Sequence, residues 1–195
     1  MRRRSLLAAF SATALWPLAT VAQQPERIRR LGVLLFGPEN DPFTQAIVTS
    51  FAQALKRFGW VEGKSIRIDY RFAAGDPALF NTGAAELVGL SPDAILASTT
   101  PAVEALRHQK RTIPIVFVLG VDPIGRGWVQ SLARPGGNLT GFISWDASLM
   151  GKWLQLLKEA APRVTRVGVI FNPDTAPFAP FLSGAIKDAA PSFGR

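Results

Sequence analysis

Cysteine is absent from the 195 residues, and histidine occurs once, at His108. Without thiols there is no disulfide, no thiolate metal site and no lipid attachment through an N-terminal cysteine. A lone histidine builds neither a zinc site nor a Cys–His nucleophile pair. No Gly-x-Gly-x-x-Gly follows the first apolar run, which removes the commonest dinucleotide-binding turn. No Gly-x-Ser-x-Gly elbow occurs either, and nothing raises any two carboxylates above the rest. The expectation is a protein with no catalytic residues, no metal and no cofactor.

Charge is also sparse. Charged residues make up 18% of the chain and apolar ones 48%, a folded globular composition with no low-complexity tract. Net charge is +8, of which three charges lie in Arg2–Arg4, leaving +5 beyond them. The other basic residues are scattered, apart from Arg27/Arg29/Arg30 and the run Arg107–Arg111. His108 falls in that run at an expected helix end, where it complements the helix dipole. A nucleic-acid binder needs a basic stripe with base-reading or stacking side chains. Solvated surface charge is therefore the reading, and no nucleic-acid partner is expected.

The first residues read as an address. Arg2-Arg3-Arg4 precedes an apolar run, Leu6 to Leu18, and then Ala19-Thr20-Val21-Ala22. This is the charged, apolar and small-residue order of a secretory signal peptide, expected to span 1–22 with cleavage after Ala22. The apolar run is too short to cross a bilayer comfortably and contains Pro17. Arg3-Arg4-Ser5-Leu6-Leu7 also fits a loose twin-arginine pattern, so the general secretory and twin-arginine routes both stay open.

Beyond the leader, apolar runs and amphipathic stretches alternate. Leu31–Phe36 is a continuous apolar run read as a buried strand. Phe43, Ile47, Phe51, Leu55 and Phe58 recur at three and four, the stripe of a helix that stops at Gly59. Ile66, Ile68, Tyr70 and Phe72 alternate with charged residues, which predicts a strand near a sheet edge. A helix carrying Leu79, Phe80, Leu87 and Leu90, a strand over Asp93–Ala97, and a helix opened by Ser98–Pro101 follow. Ile113–Leu119 reads as a strand, Ile124–Leu132 as a short helix, Arg134–Asn138 as a turn, and Leu139–Ser144 as extended. A helix with Leu149, Trp153, Leu156 and Leu157 then precedes a buried strand over Arg166–Phe171, and a last helix carries Phe178, Phe181, Leu182 and Ile186. Such alternation favours a parallel sheet with helices on both faces.

Several stretches carry a family resemblance: Ile68-Asp-Tyr-Arg-Phe-Ala-Ala-Gly75, Thr100-Pro-Ala-Val-Glu-Ala-Leu106, Asp122-Pro-Ile-Gly125, Ser131-Leu-Ala-Arg-Pro-Gly-Gly-Asn-Leu-Thr-Gly141 and Lys152-Trp-Leu-Gln-Leu-Leu-Lys158. In that order they resemble the substrate-binding proteins of ABC transporters, of the tryptophan/tyrosine-uptake-like group. The resemblance implies an α/β fold, a parallel-sheet three-layer lobe of the type I periplasmic-binding (Rossmann-like) class, with ligand held between two lobes. It implies a periplasmic location, a small-molecule solute such as an amino acid or other carboxylate, an ABC permease of the inner membrane as partner, and a monomer. The family continues past the point matching Arg195, so residues 23–141 are expected to form the N-terminal lobe and 142–195 an incomplete second lobe.

Ligands of open parallel sheets bind outside the carboxyl ends of the strands. The loops Gly37–Phe43, Ser98–Pro101, Gly120–Ile124 and Asn172–Ala176 qualify. Ser98, Thr99 and Thr100 leave a strand and enter a helix N-terminus, where N–H groups and hydroxyls hold a carboxylate. The competing reading is that Thr99 or Thr100 only caps the helix. Asp122, followed by Pro123, could accept from a ligand ammonium group or merely form an Asx turn. Phe36, Gly37, Phe142 and Asn172 complete the expected cleft wall, and Asp146 or Ser144 is expected to cap the next helix. Two alternatives to a solute binder stand: a shortened remnant that does not bind, and an exported Rossmann-like enzyme.

Overall fold

The computed structural model describes residues 27–109, 112–146 and 148–193, so the leader lies outside the described residues. The sheet is five-stranded and wholly parallel, in the order β2-β1-β3-β4-β5. Its strands are β1 (Arg29–Leu35), β2 (Ile66–Phe72), β3 (Ala94–Ser98), β4 (Ile115–Val121) and β5 (Leu139–Trp145). Helices α1 (Pro42–Arg57), α2 (Pro77–Gly89) and α3 (Thr100–His108) join the first four strands. Helices α4 (Ser148–Ala160) and α5 (Ala179–Ala189) follow, with a short 3-10 turn at Ala190–Phe193. β2 stands at the edge, as its charged alternation requires.

Two apolar layers sandwich the sheet. Leu34, Ile95, Ile115 and Phe117 point to one face and meet Phe80, Leu87, Val103 and Leu106 of α2 and α3. Val33, Leu35, Ile66 and Ile68 point to the other and meet Val48, Phe51 and Leu55 of α1. Pro77 opens α2 behind Asp76, whose carboxylate accepts from the Ala78 N–H at 2.7 Å. Asp41 caps α1 in the same way through Thr44. At the lower ends of the strands Arg30 donates to Asp69 at 2.6 Å, and Arg29 donates to Asp93 at 3.1 Å.

Several expectations need correcting. Ile124–Leu132 is a chain of turns and not a helix. The Pro123 carbonyl accepts from both Trp128 and Val129, and Gly127 sits at φ +67, so no helical ladder forms. Arg166–Phe171 is neither strand nor buried: Val167, Val169 and Phe171 are about half exposed and Ile170 fully so. A strand exists only where a neighbour accepts its hydrogen bonds, and among the described residues none flanks this run. The α1 stripe is also only half used, because Phe43 (74% exposed) and Phe58 (82%) lie off the sheet-facing side. Pro114 delays the start of β4 from the expected Ile113 to Ile115, two residues later, and the strand runs on to Val121.

β5 belongs to this sheet, so the layer runs past Gly141 to Trp145. Gly141 lies against the β4 backbone, and a Cβ there would overlap the Phe117 carbonyl oxygen. Asp146 caps α4, accepting from the Ser148 N–H at 2.8 Å, a bond that holds its carboxyl below the ordinary range. Beyond it, α4 and α5 pack together, with Met150 and Leu182 closing on Val121 at the end of β4.

Candidate functional site

A parallel sheet ends all its strands on one rim, and here β1, β3 and β4 are adjacent, roughly 4.8 Å apart. That rim therefore brings together Phe36 and Gly37 after β1, Ser98 and Thr99 at the end of β3, and Asp122 and Pro123 after β4.

Thr99 is its most unusual residue. Its backbone lies at φ +84, ψ 163, a region that side chains with a Cβ rarely enter. It occupies the N-cap position of α3 yet makes no side-chain cap hydrogen bond. Its hydroxyl oxygen is buried and has no partner. The capping role fails for Thr100 as well: its side chain is wholly buried, and its hydroxyl oxygen accepts from the Val121 N–H at 3.2 Å. Thr100 thus ties α3 to β4, and the Thr99 hydroxyl remains buried at the rim with no such tie. The Thr99 N–H donates to the Val118 carbonyl at 2.9 Å, which fixes the turn from below.

The end of β4 is shaped for this contact. Leu119 has φ +57, and the β4–β5 register slips on both sides of Gly120. A Cβ on Gly120 would stand 2.8 Å from the Phe117 ring and 3.0 Å from Trp128, so the kink needs glycine. Asp122, at φ +54, turns its carboxylate back to accept from the Gly125 N–H at 3.0 Å. Pro123 is buried beneath it. Asp122 therefore forms the Asx turn, with one carboxylate oxygen committed to it.

The β1 side is apolar. Phe36 leans on Phe80, ring centroids 6.1 Å apart, and its carbonyl accepts from the Gly75 N–H at 2.9 Å. Gly37 has no room for a Cβ, because the Thr44 hydroxyl, which donates to Asp41, lies against it. A cavity of about 590 Å³ opens on the outer part of the same rim, bounded by Pro38, Glu39, Gln45, Tyr70 and Phe72. It does not reach Ser98, Thr99 or Asp122. Its Tyr70 hydroxyl is buried without a partner, and burial, with the Glu62 carboxylate, pushes the phenol above its ordinary value.

The loop after α4 approaches from above. Asn172 accepts from Asp174 N–H at 2.9 Å through its side chain and from Ala176 N–H at 2.9 Å through its carbonyl. This folds Thr175 over the rim, so that its methyl would stand 3.7 Å from a Cβ on Gly75. Asn172 itself is exposed and shapes the loop. Phe142 stays apart: it lies inside β5, 73% exposed. Thr175 falls in the expected loop Asn172–Ala176, whereas Gly75 and Arg126 were missed; the Arg126 guanidinium reaches the Pro177 carbonyl at 2.7 Å. The Asp-Pro-Ile-Gly motif immediately before Arg126 was the available signal. Among the described residues no group of three metal-ligating side chains comes together, and no helix is long and apolar enough to cross a membrane.

Comparison with known proteins places this arrangement. A tyrosine-binding protein of Clostridioides difficile (strain R20291) is 34% identical over 122 residues, which cover 63% of this chain and 35% of that protein. The crystal structure of a conserved domain protein from Vibrio cholerae superposes with a TM-score of 0.75 at 33% identity, over 86% of this chain and 55% of that one. An ABC domain from Streptococcus pneumonia in complex with L-Trp superposes with a TM-score of 0.71 at 25% identity, over 85% and 54%. The chain thus spans about half the length of these solved relatives and about a third of the curated one. The family model described as ABC transporter substrate binding protein matches residues 38–190, and the chain belongs to that family.

Proposed function

We propose that this chain carries one wall of the solute site of an ABC importer's periplasmic binding component, and that the solute is an amino acid with an aromatic side chain. The observation that carries the reading is Thr99, a strained residue with a buried, unpartnered hydroxyl where α3 begins. A helix N-terminus presents N–H groups without intrahelical partners, and together with a hydroxyl they suit a carboxylate. Phe36 supplies an apolar surface on the neighbouring strand end, and the loop around Asn172 and Thr175 supplies the opposing side. The names of the relatives, tyrosine-binding and L-Trp-bound, support the aromatic class. An inner-membrane permease is the partner that this family membership implies, and closing of the parts around the solute is the motion that would present the complex to it.

Titration with L-tyrosine, L-tryptophan and other amino acids, followed by calorimetry and by thermal shift, tests the reading. Saturable binding of an aromatic amino acid that weakens in Ser98→Ala and Thr99→Ala, with the unliganded melting temperature held, is the expected result. Silence across the panel would overturn it. One observation favours a weak-binding variant of this reading: Ile170 is fully exposed beside half-exposed Val169 and Phe171, so the segment leading to Asn172 lacks strand support. If half of the net contact energy were lost with that support, a micromolar site of about 8 kcal/mol would fall to about millimolar.

A further inference from the structure

We infer that Arg126 is a positioning residue that latches the 172–178 loop onto the strand rim and so governs how readily the site opens. The inference rests on the reading above for its functional consequence, though not for its structural one.

Arg126 follows the turn after β4, and its side chain is 19% exposed. One nitrogen, Nη1, donates to Glu104 Oε1 at 3.2 Å, and the other, Nη2, donates to the Pro177 carbonyl at 2.7 Å. The guanidinium lies over Trp128, 6.0 Å from the ring centroid. Glu104 is itself fixed, since Oε1 also accepts from Trp128 Nε1 at 3.1 Å and Oε2 accepts from Arg107 at 3.3 Å. The planar fork is thus held on the α3 side and offers its free arm to the loop. Lysine has the charge and three donors but only one nitrogen, so it cannot span the Glu104 carboxylate and the Pro177 carbonyl as the two Nη atoms do.

The far end of this bond is well chosen for leverage. Pro177 adjoins Phe178, whose ring meets Trp145 edge-on at a centroid distance of 5.9 Å. The Ala176 N–H closes the turn on Asn172, which holds Thr175 above Gly75. Fixing Pro177 therefore fixes Asn172 and Thr175 as one piece. Among the described residues the other contacts across this junction are apolar or aromatic, such as Val121 with Met150 and Leu182. Such contacts tolerate sliding, whereas a charged hydrogen bond is lost within about an ångström of movement. The Arg126 Nε is buried with no partner, a cost sustained only while the two outer nitrogens stay bonded.

Amide hydrogen exchange on the unliganded protein tests the latch directly. In Arg126→Ala the amides of Ala176, Ala179, Phe181 and Leu182 should exchange about tenfold faster or more, the amount expected for losing a hydrogen bond from a charged donor, with β1–β4 amides unchanged. Arg126→Lys should fall between, and Glu104→Gln should shift the same amides in the same direction. Unchanged exchange at residues 176–182 would overturn the inference, and so would an equal rise across the sheet, which marks an ordinary stability residue. If the alanine variant fails to fold, the lysine variant carries the same comparison. With L-tryptophan as probe, the Lys variant should release it several-fold faster than the parent. A parent that binds and a variant with an unchanged release rate would sink the latch, whereas a silent parent with the exchange pattern intact would sink only the proposed function.

Discussion

Replacing Thr99 by glycine should make the unliganded protein more stable and its solute binding weaker, and the opposition of signs is what matters. Two costs fall on this residue. At φ +84 and ψ 163 a β-branched side chain is strained by about 1–3 kcal/mol. The buried hydroxyl without a partner adds a desolvation cost of similar size, about 1–3 kcal/mol. Glycine removes both and gives back about 0.5–1 kcal/mol in unfolded-chain entropy. A net gain of about 1–5 kcal/mol raises the melting temperature by about 2–4 °C per kcal/mol in a chain of this size. Thr99→Ala keeps the strain and loses the hydroxyl together with the γ-methyl, so relief of desolvation and loss of packing offset each other and the melting temperature should stay near that of the parent. Calorimetric melting without solute gives the first half, since bound solute would add its own stabilisation. Titration with L-tryptophan gives the second: loss of a hydrogen bond to a carboxylate weakens binding about 10- to 100-fold. A less stable Thr99→Gly would show that the hydroxyl or its backbone serves the fold. A more stable variant with unchanged affinity would remove Thr99 from the site.

Asp69 is held below its ordinary range first by the Arg30 hydrogen bond, against an opposing effect of burial, and then by the charges of Arg30, Arg67 and Arg71. A depressed carboxylate stabilises the fold above its unfolded value and ceases to do so as pH falls through the folded one. Melting temperature should therefore drop below about pH 4, and Asp69→Asn should flatten that acid limb while lowering stability at neutral pH. Gly141→Ala drives a Cβ into the Phe117 carbonyl and should cost about 1–3 kcal/mol or more in denaturant unfolding. Ile170→Ser should leave stability within about 0.5 kcal/mol, because the side chain is wholly exposed, whereas Phe117→Ala should cost about 3–5 kcal/mol. A large loss in Ile170→Ser would restore the buried strand that the structure denies.

How much of this was legible in the sequence depends on how local the determinant is. The edge position of β2 was readable because alternation of Arg67, Asp69 and Arg71 with Ile66 and Ile68 is a statement about two faces of one strand. The stop of α1 was readable too, since Gly59 takes φ +85 just past the cap. Residues 124–132 misled because Ile124, Trp128 and Val129 have helical spacing, while the deciding event is the Pro123 carbonyl capturing two N–H groups. Residues 166–171 misled for a deeper reason: Val167, Val169 and Phe171 show strand propensity, but pairing depends on a neighbour that no run of six residues specifies. Phe43 and Phe58 fell on the helical stripe, yet they stand at the two ends of α1, exposed, outside the stretch Val48–Leu55 that meets the sheet. The rule that parallel strands end together was enough to bring Phe36, Ser98, Thr99 and Asp122 to one rim. The torsion of Thr99, the diversion of Thr100 to Val121 and the reach of Arg126 to Pro177 depend on distances across the fold, and spacing alone does not contain them.

The two ends of this sheet are built to opposite purposes, which explains why Thr99 tolerates its geometry. Towards the amino ends of the strands, side chains pair off: Arg30 with Asp69, and Arg29 with Asp93, whose carboxyl is lowered first by the Arg30 backbone N–H. Towards the carboxyl ends the backbone is distorted instead. Among the described non-glycine residues with positive φ, Ala74, Thr99 and Asp122 lie just beyond the ends of β2, β3 and β4, Leu119 lies in the last three residues of β4, and Ser91 lies elsewhere. Strain persists only where the surroundings over-determine it, and here Leu34, Leu87, Ile95, Val103 and Phe117, all essentially without exposure, pin the strands beneath. Relaxing the upper end should therefore stabilise the fold at the expense of binding, while cutting the Arg30–Asp69 pair should destabilise it and leave the rim's geometry alone. A protein whose rim was only a set of connecting turns would have no reason to keep that strain.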